Sequence, residues 1–301
     1  MKFTALPLSL TNQVKIYLCT WLVRVGNFSQ SEKVLGIFSV KKKGKSLLDI
    51  TTSETINAVR VVILNRPKAL NAFNQDLFDA LCEEFLNATQ DKSVKVLVLT
   101  GAGRAFSAGA DLKARAAGEQ PNPKHGLGGM LEAIIKFPKP FIVAANGLGV
   151  GIGCTLLGLG DMAFVSESSR FRAPFSALGI TAEGSSTYTF SRLVGHQRAS
   201  WILLSSEWIS ADECVSSGLA LKVYPDETFL EEVMVQANTL ARLPMASLIQ
   251  TKELIMAPHR DAMLRAVRAE NSALDVLRGA PANQEAMNAF LEKRDPDFSN
   301  L

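Results

Sequence analysis

The chain is poorest in the residues that metal and nucleophile chemistry needs. Three histidines (His125, His196, His259) and four cysteines (Cys19, Cys82, Cys154, Cys214) are scattered over 301 residues. There is no CxxC pair and no zinc-like Cys/His spacing, so no metal is expected and the cysteines read as thiols of a reducing compartment. No Ser/His/Asp order stands out, and Ser107 is not in a GxSxG elbow. No membrane span is expected either, because residues 14–25 are too short and too interrupted by charge for a spanning helix.

Acidic side chains are almost missing from one end. Residues 1–45 hold eight Lys/Arg against Glu32 alone, while the remainder holds 24 basic against 28 acidic residues. A mildly acidic body excludes nucleic acid as the partner of the main domain. The basic, acid-poor extension has the composition of an organelle-targeting presequence, with an unstructured extension as the alternative. The KKKGK run at residues 41–45 reads as a solvated linker. A body with 47% apolar residues can bury a sizeable core.

What is present in that body is an alternation of β-like and helix-like runs. β-like stretches fall at residues 59–64, 94–100, 141–145, 162–166 and 220–223. Helix-like ones fall at 131–136, 154–159, 185–193, 198–205 and 211–216. Asn74 is placed to cap a further helix reaching residue 87, with Leu77, Leu81 and Phe85 on one face. Such alternation predicts an α/β fold with parallel strand pairing. After residue 227 the pattern is helical only, with runs at 230–243, 245–256, 261–277 and 282–293 that Pro244, Pro258 and Pro281 separate. The expected organisation is therefore a basic extension (1–45), an α/β core (46–226) and a C-terminal helical region (227–301).

Two glycine-bearing stretches follow strands in this body, FSAGADLK at residues 106–113 and NGLGVGIGCT at residues 146–155. Their side chains are small, so they offer a ligand backbone N–H groups. Two N–H groups converging on one point form an oxyanion hole; the bland alternative is a pair of tight turns. A dinucleotide site is excluded, since Cys154 stands where the third glycine of GxGxxG belongs.

With these motifs, residues 58 to about 291 resemble the enoyl-CoA hydratase/isomerase (crotonase) superfamily, most closely its Δ3,Δ2-enoyl-CoA (dodecenoyl-CoA) isomerases. The resemblance implies a spiral of ββα units with a helical C-terminal region, assembled as a homotrimer or dimer of trimers, acting on acyl-CoA. It implies no cofactor beyond the coenzyme A of the substrate. In Ala108-Gly109-Ala110-Asp111-Leu112-Lys113 it assigns one oxyanion donor to the N–H of Ala110, with the adenine of coenzyme A against the surrounding backbone. The second donor falls on the N–H of Ile152. The Arg66-Pro67-Lys68-Ala69-Leu70-Asn71-Ala72 segment matches the signature that borders the CoA phosphate and pantetheine. Lys68, Ala69 and Ala72 are thus expected at the ligand, although a solvated surface lysine is the alternative for Lys68.

The carboxylates narrow the expectation. Where hydratases carry two water-handling glutamates, this chain has Thr155 and Phe175, so hydration is not expected. Glu183, in ITAEGSS, matches the catalytic glutamate of peroxisomal-type isomerases, with Ala182 in place of their proline. A capping role at a helix starting near Ser185 is the alternative for Glu183. One carboxylate suits a 1,3-proton shift from C2 to C4. Phe175 and Leu178 are expected either to line the acyl chain or to pack in the core. Rival readings are a crotonase-fold hydratase or thioesterase, and a non-catalytic acyl-CoA-binding module. The terminal Ser299-Asn300-Leu301 has the shape of a peroxisomal address, with Asn in place of the usual basic residue, and the N-terminal composition fits a mitochondrion instead.

Overall fold

The β-like runs are apolar on both faces because both faces of the sheet they build are covered. The computed structural model describes residues 50–112 and 123–301; the expected extension at 1–45 lies outside them. In chain order the elements are β1 (Thr51–Ile56), β2 (Val59–Leu64), α1 (Gln75–Gln90), β3 (Val96–Gly101), β4 (Ala105–Ser107) and α2 (Gly126–Lys136). Then come β5 (Phe141–Ala145), β6 (Leu148–Val150), α3 (Ile152–Thr155), β7 (Met162–Ser166) and β8 (Arg170–Arg172). They are followed by α4 (Ser186–Val194), α5 (His196–Ser205), β9 (Trp208–Ser210), α6 (Ala211–Ser217) and β10 (Lys222–Tyr224). Three helices follow, α7 (Phe229–Ala241), α8 (Met245–Leu277) and α9 (Pro281–Glu292).

Two sheets share these strands. One has the order β1-β2-β3-β5-β7-β10 and the other β4-β6-β8-β9. Each of β3, β5 and β7 is followed at once by a short strand of the second sheet, β4, β6 and β8, before the chain turns helical. This repeat is the expected ββα spiral, and the pairings within it are parallel. Alternation in the first sheet sends Leu97, Leu99, Phe141 and Val143 to the main core beneath α1 and α2. Val96, Val98, Ile142 and Ala144 go to the opposite face, where Phe229, Val233 and Ala237 of α7 cover them. Burial on both sides is why these strands read as unbroken apolar runs.

Two features depart from the expectation. The first is β1, whose TTSETI sequence has no apolar alternation; it joins β2 antiparallel through Asn57 and Ala58, both at positive φ. Two left-handed residues form the tight turn that matches strand twist, so β1 is recruited as an edge by the hairpin.

The second is Pro258, which does not separate two helices. α8 runs unbroken for 33 residues with Pro258 inside it. A proline removes one bond, here to the Leu254 carbonyl, and Leu254 is 76% exposed, so water is at hand for that oxygen. On the other side Lys252, Met263, Val267, Glu270 and Leu274 are buried. These positions recur on one helical face on both sides of the proline, so packing holds the two halves in line.

Lys252 fixes the first half. Its ammonium is 2.7 Å from Asp161 and donates to the Lys139 carbonyl at 2.8 Å, with the residue only 8% exposed. Asp161 in turn accepts from the Phe141 N–H at 2.7 Å. Replacing Lys252 by Met leaves a partly buried carboxylate without its cation, which is expected to lower unfolding free energy by about 3 kcal/mol. Urea titration of both proteins checks this; a midpoint equal to wild type would refute it.

Candidate active site

The first part of the site is a splice between two segments distant in sequence. Residues 66–73 turn through Leu70 and Asn71, both left-handed. The Ala108 N–H donates to the Leu70 carbonyl at 2.9 Å and Ser107 Oγ to the Asn71 carbonyl at 2.9 Å. The buried Asn71 amide returns the contact to the Ala105 carbonyl at 2.7 Å. Arg66 closes the splice with an ion pair to Asp111 at 3.0 Å and a bond to the Ala72 carbonyl. Ala69 and Ala72 are therefore placed beside Ala108, Gly109, Ala110, Asp111 and Leu112. Lys68 lies on the same turn and is exposed at its rim.

Ala110 forms an isolated parallel bridge with Phe73. Its bonds run from the Phe73 N–H to the Gly109 carbonyl (2.7 Å) and from the Asp111 N–H to the Phe73 carbonyl (2.9 Å). A parallel bridge uses the carbonyl before and the N–H after the central residue on one strand, so the N–H of Ala110 is not spent on Phe73. Ile152 is the first residue of α3, and a first-turn N–H has no acceptor within its helix. The glycines just before these residues abut each other. A Cβ on Gly109 would lie 2.8 Å from the Val150 carbonyl oxygen and 3.6 Å from the Gly151 nitrogen. One on Gly151 would lie 3.7 Å from the Gly109 Cα. Gly109 and Gly151 also sit at φ +86° and +53°, open to glycine at little strain. Parallel pairing of β4 with β6 thus brings the main chains together at Gly109 and Gly151, the residues just before Ala110 and Ile152.

Glu183 lies against the other end of the same short helix. Its carboxylate receives a hydrogen bond from Thr155 Oγ1 at 3.4 Å, and Thr155 is the last residue of α3, one turn from Ile152. At Gly184 any Cβ would come within 2.5 Å of Thr155 Oγ1, so only glycine lets the loop approach this closely. Glu183 is 8% exposed. Ile152, Phe175 and Ala182 belong to the main apolar core. Phe175 is therefore core by packing, and Leu178 is half-buried on the turn after it.

Burial disposes of the nearby thiols as nucleophiles: it pushes Cys154 well above its ordinary value and Cys214 up to about 12. Among the described residues no group of His, Cys, Asp and Glu gathers as a metal site.

One residue at this site escaped the sequence reading. Glu270 of α8 accepts hydrogen bonds from the Ser185 N–H (2.7 Å), the Thr187 N–H (3.0 Å) and Thr187 Oγ1 (2.6 Å). It therefore caps α4, whose N-cap residue Ser185 is left-handed and makes no side-chain cap of its own. Desolvation raises the Glu270 carboxyl above its usual range, and these three bonds oppose the shift. No periodicity singles out Glu270, because a buried carboxylate on a long helix has no local signature.

A family profile described as Enoyl-CoA hydratase/isomerase matches residues 54–300. The chain belongs to the enoyl-CoA hydratase/isomerase family. It is 35% identical over 258 residues to human enoyl-CoA delta isomerase 2, covering 83% of this chain and 64% of that protein. The chain thus spans under two thirds of that relative's length. It is also 35% identical over 244 residues to 2,3-dehydroadipyl-CoA hydratase of Escherichia coli K12, covering 80% of this chain and 94% of that one. Among solved structures, an enoyl-CoA hydratase/isomerase from Pseudoalteromonas atlantica T6c superposes with a TM-score of 0.80 at 30% identity. That match covers 83% of this chain and all of the other. Equal identity to an isomerase and a hydratase means that overall likeness does not divide the two activities within the family. The side chains at the site must.

Proposed function

We propose that the protein is a Δ3,Δ2-enoyl-CoA isomerase of unsaturated fatty-acid β-oxidation, moving the double bond of 3-cis- or 3-trans-enoyl-CoA to give 2-trans-enoyl-CoA. The observation that carries this reading is the buried carboxylate of Glu183 against Thr155, one helical turn from Ile152, together with a threonine and a buried phenylalanine at positions 155 and 175, where a hydratase carries its water-handling glutamates. Hydration needs a second acid–base group to hold and split water, and neither a threonine hydroxyl nor a phenyl ring supplies one at neutral pH.

In this reading the thioester oxygen sits between the N–H groups of Ala110 and Ile152. Glu183 removes a proton from C2, the negative charge spreads onto the thioester oxygen and C4, and Glu183 returns the proton at C4. The reaction conserves electrons and atoms, so it calls for no further cofactor. The 66–72 and 108–112 segments would hold coenzyme A, with Lys68 at a phosphate. Exposed Leu193, Trp201 and Leu204 would give a trimer an apolar surface to bury. The peroxisome, with the mitochondrion as alternative, remains the proposed location.

The test supplies 3-cis-enoyl-CoA and, separately, 2-trans-enoyl-CoA to the full chain. Conversion of the first to 2-trans-enoyl-CoA, with no 3-hydroxyacyl-CoA from the second, is the expected result. Rapid hydration of the second would make the protein a hydratase, and release of free coenzyme A a thioesterase. Binding without turnover of either substrate would make it a binding module.

A further inference from the structure

From the bonds that α8 makes to the loop after Glu183, we propose that Glu270 is a positioning residue that fixes the carboxylate of Glu183 for proton transfer. The inference rests on the reading of Glu183 as the base.

The loop needs an external hold. Gly184 and Ser185 are successive left-handed residues, at φ +76° and +59°. A serine keeps that conformation only where its surroundings impose it. Here α8 grips Ser185 twice: Glu270 accepts its N–H at 2.7 Å, and its hydroxyl donates to the Met263 carbonyl at 3.2 Å. The second Glu270 oxygen takes the N–H and the hydroxyl of Thr187. Glu183 stands two residues before Ser185, and its carbonyl accepts from the Ser186 N–H at 3.4 Å. The backbone that carries the base is thus pinned on its C-terminal side by α8, through the Glu270 side chain and the Met263 carbonyl.

The chemistry of the clamp requires a carboxylate. All three groups facing Glu270 are donors, and a carboxylate is the side chain that only accepts. Glutamine has the same shape, but its amide N–H₂ would meet either the Ser185 N–H or the Thr187 donors. Glu270 is 5% exposed, so water does not replace the lost acceptor at no cost. Misplacing a reacting group by about 1 Å can lower a rate ~100-fold. By contrast the 66–72 and 108–112 segments make no bond to Glu270, so binding of the coenzyme A portion should be untouched.

The experiment measures kcat and KM of the full chain on 3-cis-enoyl-CoA for Glu270→Gln, Glu270→Asp, Thr187→Val and Glu183→Gln, with circular dichroism to check folding. Glu270→Gln is expected to lower kcat by roughly 10- to 100-fold, with KM within about twofold of wild type. Glu270→Asp, smaller but still an acceptor, should retain more of kcat than Glu270→Gln. A space-filling role predicts the opposite order, because Gln conserves the volume, and that order would overturn the inference. Should both Glu270 variants fail to fold, Thr187→Val decides: it removes one hydroxyl from the clamp, a threefold or larger fall in kcat at unchanged KM supports the inference, and wild-type kcat overturns it. Wild-type kcat in Glu183→Gln would instead overturn the reading of the base itself, whatever Glu270 does.

Discussion

Replacing Glu183 by glutamine is expected to lower isomerisation by about 10²- to 10⁴-fold, the usual contribution of a positioned acid–base group. The amide is isosteric and can still accept the Thr155 hydroxyl, so the loop and α3 keep their contact at the 3.4 Å distance. What it loses is the ability to take a proton from C2. KM should therefore change little, since coenzyme A is held elsewhere. Exchange of the C2 protons of the substrate with heavy water offers a second readout. The wild type should incorporate deuterium or transfer it to C4, and the variant should do neither at a comparable rate. If turnover persists within about threefold of wild type, the proton is being moved by another group, and the assignment of Glu183 falls.

Replacing Ile152 by proline should reduce kcat by roughly 10²- to 10³-fold, the loss found when one oxyanion donor is removed. The substitution removes the N–H of Ile152 and exchanges its buried side chain for a smaller ring, at a helix position that tolerates proline. Ile152 is the first residue of α3, a place where proline is tolerated because that N–H has no helical acceptor. The preceding residue must suit proline too, and Gly151 sits at φ 53°, ψ −119°. That is the mirror image of the extended conformation a residue before proline prefers, and glycine, being achiral, adopts either hand. Ile152→Val, which keeps the N–H and trims one methylene, is the control and should stay near wild-type kcat. Equal activity of the proline and valine variants would remove Ile152 from the oxyanion hole.

Several core strands can be read from the order of residues because they are buried on both faces. Residues 59–64, 141–145 and 162–166 declare themselves as β-like runs, and the structure keeps those bounds. Asn74 likewise does what its position announces, accepting from the Leu77 N–H at the head of α1. What stayed hidden is whatever tertiary contact decides. β1 has a polar sequence and is a strand because a hairpin turn delivers it to an edge. The three-residue strands β4, β6, β8 and β9 are too short to show a period. Pro258 misleads because helix continuity across it depends on which face is packed, and a linear sequence states that only faintly.

The site divides in the same way. Its backbone elements are legible, since glycine is conspicuous wherever two main chains must touch, as at Gly109 and Gly151. Glu183 stands out as one of few acids in its stretch. The groups that hold these parts are another matter. The Arg66–Asp111 pair spans 45 residues, and the clamp from Glu270 spans 85. Neither separation leaves a local pattern.

The long reach of that clamp also sets an order of events in a growing chain. The β4–β6 pairing that aligns the two glycine segments closes within the first half of the fold, while Ser185 must wait for residue 270 to leave the ribosome. At ~5–20 residues per second this is a delay of several seconds. Contacts of large sequence separation also close at a higher entropic penalty. A nascent spiral therefore acquires its backbone donors before its carboxylate is secured. The same contact should be among the earliest to open when the finished protein fluctuates, because releasing α8 exposes the Ser185 and Thr187 amides without undoing either sheet.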